Sequence, residues 1–154
     1  MSPIPPEIST ALSKTLIAQT APIPSTPALD NALHTPDLPA IAISPAQGAF
    51  LSLLCKSLNA TRVLEIGTLG GYSTLWFALS AADVKVTSIE VDAHHRDVAM
   101  RNLRAAGEAV SKRVEILLGA ALDVLPQLRT QSQTNKEDGS GTRPYDFVFI
   151  DASW

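Results

Sequence analysis

From Thr61 onward the apolar residues change period repeatedly, and this alternation constrains the fold more than any other feature of the chain. Short apolar runs, RVLEIG, VKVTSIE, RVEILLG and YDFVFID, are separated by segments with helical spacing, YSTLWFALSAA, AHHRDVAMRNLRAAG and ALDVLPQLR. Short runs rich in β-branched residues read as strands, and strands that alternate with helices read as βαβ units. A strand reached through a helical crossover pairs in parallel with its neighbour. The nearly continuous apolar character of these runs fits a sheet covered by helices on both faces. The predicted class is therefore α/β, with an open parallel sheet. Right-handed crossovers and a switch point between the first and fourth strands give the spatial order 3-2-1-4.

Ahead of this pattern, SPAQGAFLSLLCKSLNA opens with a helix-start signature: Ser44 as N-cap, Pro45 in the first turn and Gln47 completing a capping box. Phe50, Leu51, Leu54 and Leu58 share one face of that helix. Residues 1–40 read as a separate N-terminal arm or lid, and residues 41–154 as the domain. The arm holds an amphipathic segment, Glu7 to Gln19, then TAPIPSTPALDNALHTPDLPAI, whose prolines disfavour regular structure. TQSQTNKEDGSGTRP, before the last strand, is polar without an apolar period and reads as a solvated loop.

Composition limits the function. A chain of 154 residues with 45% apolar content suffices for one core. The net charge of -3, with no Lys/Arg cluster, argues against a nucleic-acid partner, which needs a dense positive face. No apolar stretch is long enough to span a membrane, and MSPIPPEIS lacks the features of a signal peptide, so the expected location is cytoplasmic with no membrane partner. The lone Cys55 can form no internal disulfide and sits in an apolar helical pattern, as a buried thiol does.

In an open parallel sheet, ligands bind beyond the carboxyl ends of the strands. The residues there are Glu65, Gly67 to Ser73, Glu90, Gly119, Ala120 and Asp151. The dinucleotide fingerprint fails because Gly67, Gly70 and Gly71 do not keep its Gly-x-Gly-x-x-Gly spacing, and no Gly-Lys-Ser/Thr follows to make a phosphate loop. What remains is a glutamate, a glycine turn and a helix N-terminus, a combination suited to the zwitterion of an amino acid. Glu90 ends the second strand, where an acidic residue accepts two hydrogen bonds from a ribose diol. Amino acid and ribose together point to S-adenosylmethionine. DAHHRD, Asp92 to Asp97, lacks the spacing of a helical chelate and reads as a solvated helix start. Trp76 and Phe77 read as core.

AISPAQGAFLSLL, VLEIGTLGGYSTL, SIEVD, LLGAALDVLPQL and YDFVFIDA, in this order and at this spacing, resemble the cation-dependent O-methyltransferases, the group that includes the catechol and caffeoyl-coenzyme A enzymes. The resemblance runs from Ile41 to Asp151 and implies a Rossmann-like S-adenosylmethionine-dependent methyltransferase fold. It implies that Ile43 touches the cofactor through its backbone, that Glu65, Gly67, Gly71, Tyr72 and Ser73 hold the methionine part, that Glu90 holds the ribose and that Ala120 lies against the adenine. Asp151 falls at the cofactor site on a carboxylate that ligates a divalent cation, usually magnesium, which activates a hydroxyl of a small catechol-like or caffeoyl-type acceptor. A homodimer is plausible on the same ground. The sequence departs from the family in three ways: Trp154 replaces a lysine, the polar loop of residues 130–144 is longer, and further strands with the rest of the metal site do not follow. These departures lead us to expect a shortened, inactive form that retains nucleoside binding. A non-catalytic nucleoside-binding module and a nicotinamide-dependent oxidoreductase are the alternative readings.

Overall fold

The computed structural model of the chain describes residues 25–36, 38–137 and 143–152, and over 131–137 the backbone alone. In chain order the elements are α1 (Pro27–Leu33), α2 (Pro45–Ser57), β1 (Arg62–Ile66), α3 (Tyr72–Ala78), β2 (Lys85–Glu90), α4 (Ala93–Ala105), α5 (Glu108–Ser111), β3 (Val114–Leu118), α6 (Ala121–Glu137) and β4 (Phe147–Ile150). The strands form one sheet in the order β3-β2-β1-β4, all pairs parallel, as the alternating pattern predicted. Among the described residues no helix is long and apolar enough to cross a membrane.

Strand alternation divides the core between the two faces. Val63, Val86 and Val114 point to the side where Leu75, Phe77 and Leu103 of α3 and α4 pack, together with Leu29 of α1 and Cys55 of α2. Leu64 and Ile89 point the other way, against Val124 of α6. Phe77, fully buried, anchors β4 to the first face by ring contacts with Phe147 and Phe149 at 5.7 and 5.5 Å between centroids. Asp146 fastens the start of β4 to the start of β1. Its carboxylate accepts from the backbone N–H of Thr61 (2.8 Å) and Arg62 (3.0 Å), and these bonds hold it below the usual carboxylate range. Cys55 is buried, and burial pushes its thiol up to about 11.

The capping box of α2 is present, with Gln47 N–H donating to Ser44 Oγ at 3.3 Å and Ser44 N–H donating to Gln47 Oε1 at 2.8 Å. The face that α2 buries is nevertheless made of small residues, Gly48, Ser52 and Cys55, while Phe50 and Leu58 are each 59% exposed. Trp76 explains the difference: a Cβ at Gly48 would lie 2.2 Å from its indole Nε1, so the glycine lets the helix settle onto the ring.

Two further expectations are corrected. The proline-dotted stretch is not irregular throughout, because α1 forms within it, and its Leu29 and Ala32 join the core. Pro27 stands in the first turn, where a missing N–H is harmless, and the Thr26 hydroxyl caps Leu29 N–H at 3.3 Å. The polar stretch after Arg129 is not a loop from its start, since α6 continues to Glu137. Gln, Lys and Glu extend an existing helix at little cost once the apolar first turns have nucleated it. A short helix, α5, was also not anticipated; its Val110 closes the core beneath α4. The amphipathic segment Glu7 to Gln19, the glycines of DGSG and Trp154 lie outside the described residues.

Candidate functional site

At the carboxyl ends of β1, β2 and β4 the chain leaves a cavity of about 650 Å³, within the range of small-molecule sites. The glycine turn after β1 forms its floor. Gly67, at φ +98°, passes beneath the end of β4 so closely that a Cβ would lie 2.3 Å from the Asp151 carbonyl oxygen. Gly71, at φ +78°, starts α3 and packs against Ala99 of α4, where a Cβ would meet that side chain at 3.2 Å. Leu69 between them is itself left-handed, at φ 49°. Two anchors hold this strained turn. Glu90 Oε2 accepts from the N–H of Thr68 (3.0 Å) and Leu69 (2.8 Å), and the Asn102 side chain donates to Gly70 O at 2.8 Å. The same amide reaches Thr35 Oγ1 at 3.0 Å and so ties the segment after α1 to the turn.

Of the residues singled out in the sequence, Ile43, Gly67, Tyr72, Ser73, Glu90, Ala120 and Asp151 are brought together on the cavity wall. Glu65 and Gly71 are not on it. Glu65 is 0% exposed and lies behind the wall, where its carboxyl accepts from Ser73 Oγ, from Thr74 Oγ1 at 2.5 Å and from Ser88 Oγ at 2.7 Å. Because Ser88 gives its proton to Glu65, the 2.6 Å contact between Ser88 and Thr68 leaves Thr68 as donor. Burial drives the Glu65 carboxyl up to about 7 against the three hydroxyl bonds, which favour the charged form, and the Asp151 carboxylate adds to the rise.

The sequence did not point to several wall residues, among them Val91, Asp92 and His95. DAHHRD is a helix start, as read: Asp92 Oδ1 accepts from the N–H of His94 (2.7 Å) and His95 (3.1 Å). It is not wholly a solvated one. The cap turns His95 toward the cavity, 25% exposed and with Nδ1 3.8 Å from Glu90 Oε1. The signal was available, since a residue in the first turn after an end-of-strand glutamate sits beside that glutamate. Most of the remaining wall is apolar side chain or backbone, including Ile41, Ile66, Ile89 and Ala121. The ionisable wall residues are the carboxylates Glu90, Asp92 and Asp151 together with His95 and Tyr72, with no lysine or arginine among the described residues. Such a wall favours a cationic guest and repels a polyphosphate.

Asp151 is an exposed carboxylate at the mouth of the cavity. As a hard oxygen donor it suits one position on a divalent cation, but no group of three His, Cys, Asp or Glu able to hold a metal occurs among the described residues.

A sequence pattern described as O-methyltransferase matches residues 28–154. A catechol O-methyltransferase of Mycobacterium tuberculosis is 43% identical over 154 residues, which is 97% of this chain and 61% of that protein. A catechol O-methyltransferase of Niastella koreensis is 41% identical over 126 residues, 81% of this chain and 52% of its own length. Among solved structures, an O-methyltransferase from Bacillus cereus in complex with SAH superposes with a TM-score of 0.72 at 37% identity, covering 95% of this chain and 62% of that one. The chain thus spans roughly half to three fifths of the length of these relatives.

Proposed function

The chain belongs to the O-methyltransferase family, and on that premise we propose that its cavity binds S-adenosylmethionine for methyl transfer to a hydroxyl of a small catechol-like or caffeoyl-type acceptor. The observation that carries this reading is the charge of the wall: carboxylates without lysine or arginine, closed by apolar side chains. A sulfonium cofactor is favoured by that field, whereas the pyrophosphate of a dinucleotide is opposed by it. The volume is sufficient, and the complex of the Bacillus cereus relative with SAH supports the same assignment.

In this reading Glu90 serves the ribose, and Ile43 and Ala120 border the adenosyl group. Gly67 permits close approach of backbone, and Tyr72 and Ser73 face the methionine part. Glu65 acts through Ser73 and Thr74, whose hydroxyls it holds, not by touching the cofactor. When bound, S-adenosylmethionine would supply an electrophilic methyl group on sulfur. Asp151 would provide one carboxylate to a divalent cation, whose chemistry is to lower the pKa of an acceptor hydroxyl. With one such carboxylate among the described residues, we expect that cation to be held weakly by this chain and methyl transfer by the 154-residue form to be slight.

Calorimetric titration of the chain with S-adenosylhomocysteine and with NAD tests the cofactor class. Binding of the first and not the second is expected; tighter binding of NAD would end the methyltransferase reading, and binding of neither would leave the wall without a nucleoside role. Replacing Glu90 with alanine should weaken S-adenosylhomocysteine by about 1 to 3 kcal/mol through loss of a hydrogen-bonded carboxylate, and unchanged affinity would remove its assignment.

A further inference from the structure

The Glu90 carboxylate is more occupied than its position in the sequence suggested. Its Oε2 accepts two backbone N–H groups, from Thr68 and Leu69, and its Oε1 accepts a third from Asp92 at 3.0 Å. A carboxylate offers about four acceptor positions, so roughly one is left for a ligand. A ribose diol brings two hydroxyls, and the second needs another partner.

Few polar side chains of the wall can supply it. The Thr68 and Ser73 hydroxyls donate to Ser88 and Glu65. Asp92 Oδ1 is taken up by the cap of α4. Asp151 ends β4, with β1 lying between that strand and β2, which bears Glu90. His95 remains. Its backbone is fixed by the Asp92 cap, its ring is three-quarters buried on the wall, and Nδ1 stands 3.8 Å from Glu90 Oε1. That separation is too long for a direct hydrogen bond, and no hydrogen bond of the imidazole ring of His95 to another protein group is seen among the described residues. It suits two neighbouring hydroxyl oxygens, which lie roughly one hydrogen-bond length apart, each meeting one of the two groups.

We propose that Glu90 and His95 divide a ribose diol between them, one hydroxyl to each, which makes His95 a specificity residue for the nucleoside. The assignment rests on the adenosyl cofactor proposed above. Either ring tautomer serves, because a hydroxyl both donates and accepts.

The test is a cycle of ligand and protein changes on the full chain. Affinities of S-adenosylhomocysteine and of its 2′-deoxy and 3′-deoxy forms are measured for the unaltered protein, for His95→Ala, for His95→Gln and for Asp92→Asn. In the unaltered protein each missing hydroxyl should weaken binding by roughly five- to tenfold, as expected for one hydrogen bond. In His95→Ala one of the two deletions should become silent, within about twofold, while the other keeps its effect. His95→Gln, which restores a polar end, should recover part of the discrimination, and Asp92→Asn should leave both deletions costly. A purely structural role would weaken all three ligands by the same factor and leave both discriminations intact, and that result would overturn the assignment. Loss of one discrimination in Asp92→Asn and not in His95→Ala would do so as well. Failure of the unaltered chain to bind S-adenosylhomocysteine would instead refute the cofactor reading, and this assignment with it.

Discussion

Burial and hydrogen bonding pull the Glu65 carboxyl in opposite directions, and burial wins. Its value in the folded protein, about 7, stands above the ordinary 4.5, so the folded state binds the proton more tightly than the unfolded chain does. The stability this contributes is fully present below about pH 4.5 and is lost as the pH rises through about 7. We predict that urea midpoints of the unaltered protein fall across that window relative to those of Glu65→Gln, which has no proton to lose. The gap should approach about 3 kcal/mol at pH 8, from 1.36 kcal/mol per pKa unit. Parallel pH profiles for the two proteins would show that Glu65 is ionised throughout. Asp92 and Asp146 do not confuse the comparison, because their hydrogen bonds from backbone N–H groups lower them and place their effects at more acid pH. Glu65 also shows where reading residues singly stops. The sequence marks a carboxylate at a strand end, but the Ser73, Thr74 and Ser88 hydroxyls that enclose it come from α3 and β2, and only folding brings them together.

Among the elements, the legible ones carry their own signals and the illegible ones borrow theirs from neighbours. The start of α2 was readable because Ser44, Pro45 and Gln47 form a local cap. Its buried face was not, because Gly48 is chosen by Trp76 from α3 and not by the periodicity of α2 itself. The α1 helix is the extreme case. It has seven residues, too few for stability by itself, and it persists because Leu29 and Ala32 reach the core and because Asn102 links Thr35 to the glycine turn. Replacing Asn102 with alanine should therefore loosen α1 and the turn together. We expect amide exchange in Pro27–Leu33 to accelerate by roughly tenfold, the worth of about 1 kcal/mol, while β1 and β2 stay protected. Exchange unchanged in α1, or accelerated uniformly through the sheet, would show that the Asn102 bonds do not hold it.

For the whole molecule, the alternation of apolar periods defined the topology in advance: four parallel strands in the order β3-β2-β1-β4 have few arrangements open to them once crossovers are right-handed. The site's location followed, since Gly67, Glu90, Ala120 and Asp151 all come at or just after strand ends. Its detail did not follow. His95 reaches the wall through a helix cap, legible only when its place after Glu90 is read together with that cap, and Glu65 withdraws from the wall into a hydroxyl cage that no spacing along the chain marks. The central claim is that the end of the sheet bearing the glycine turn is an adenosyl-cofactor site. The most direct test is hydrogen exchange by mass spectrometry on the 154-residue chain with and without S-adenosylhomocysteine. The account predicts added protection confined to peptides spanning the cavity wall, residues 41–43, 67–73, 90–95, 119–121 and 151–152, with the opposite ends of the strands unchanged. Protection away from the wall, or binding that leaves residues 67–73, 90–95 and 119–121 unaltered, would contradict it.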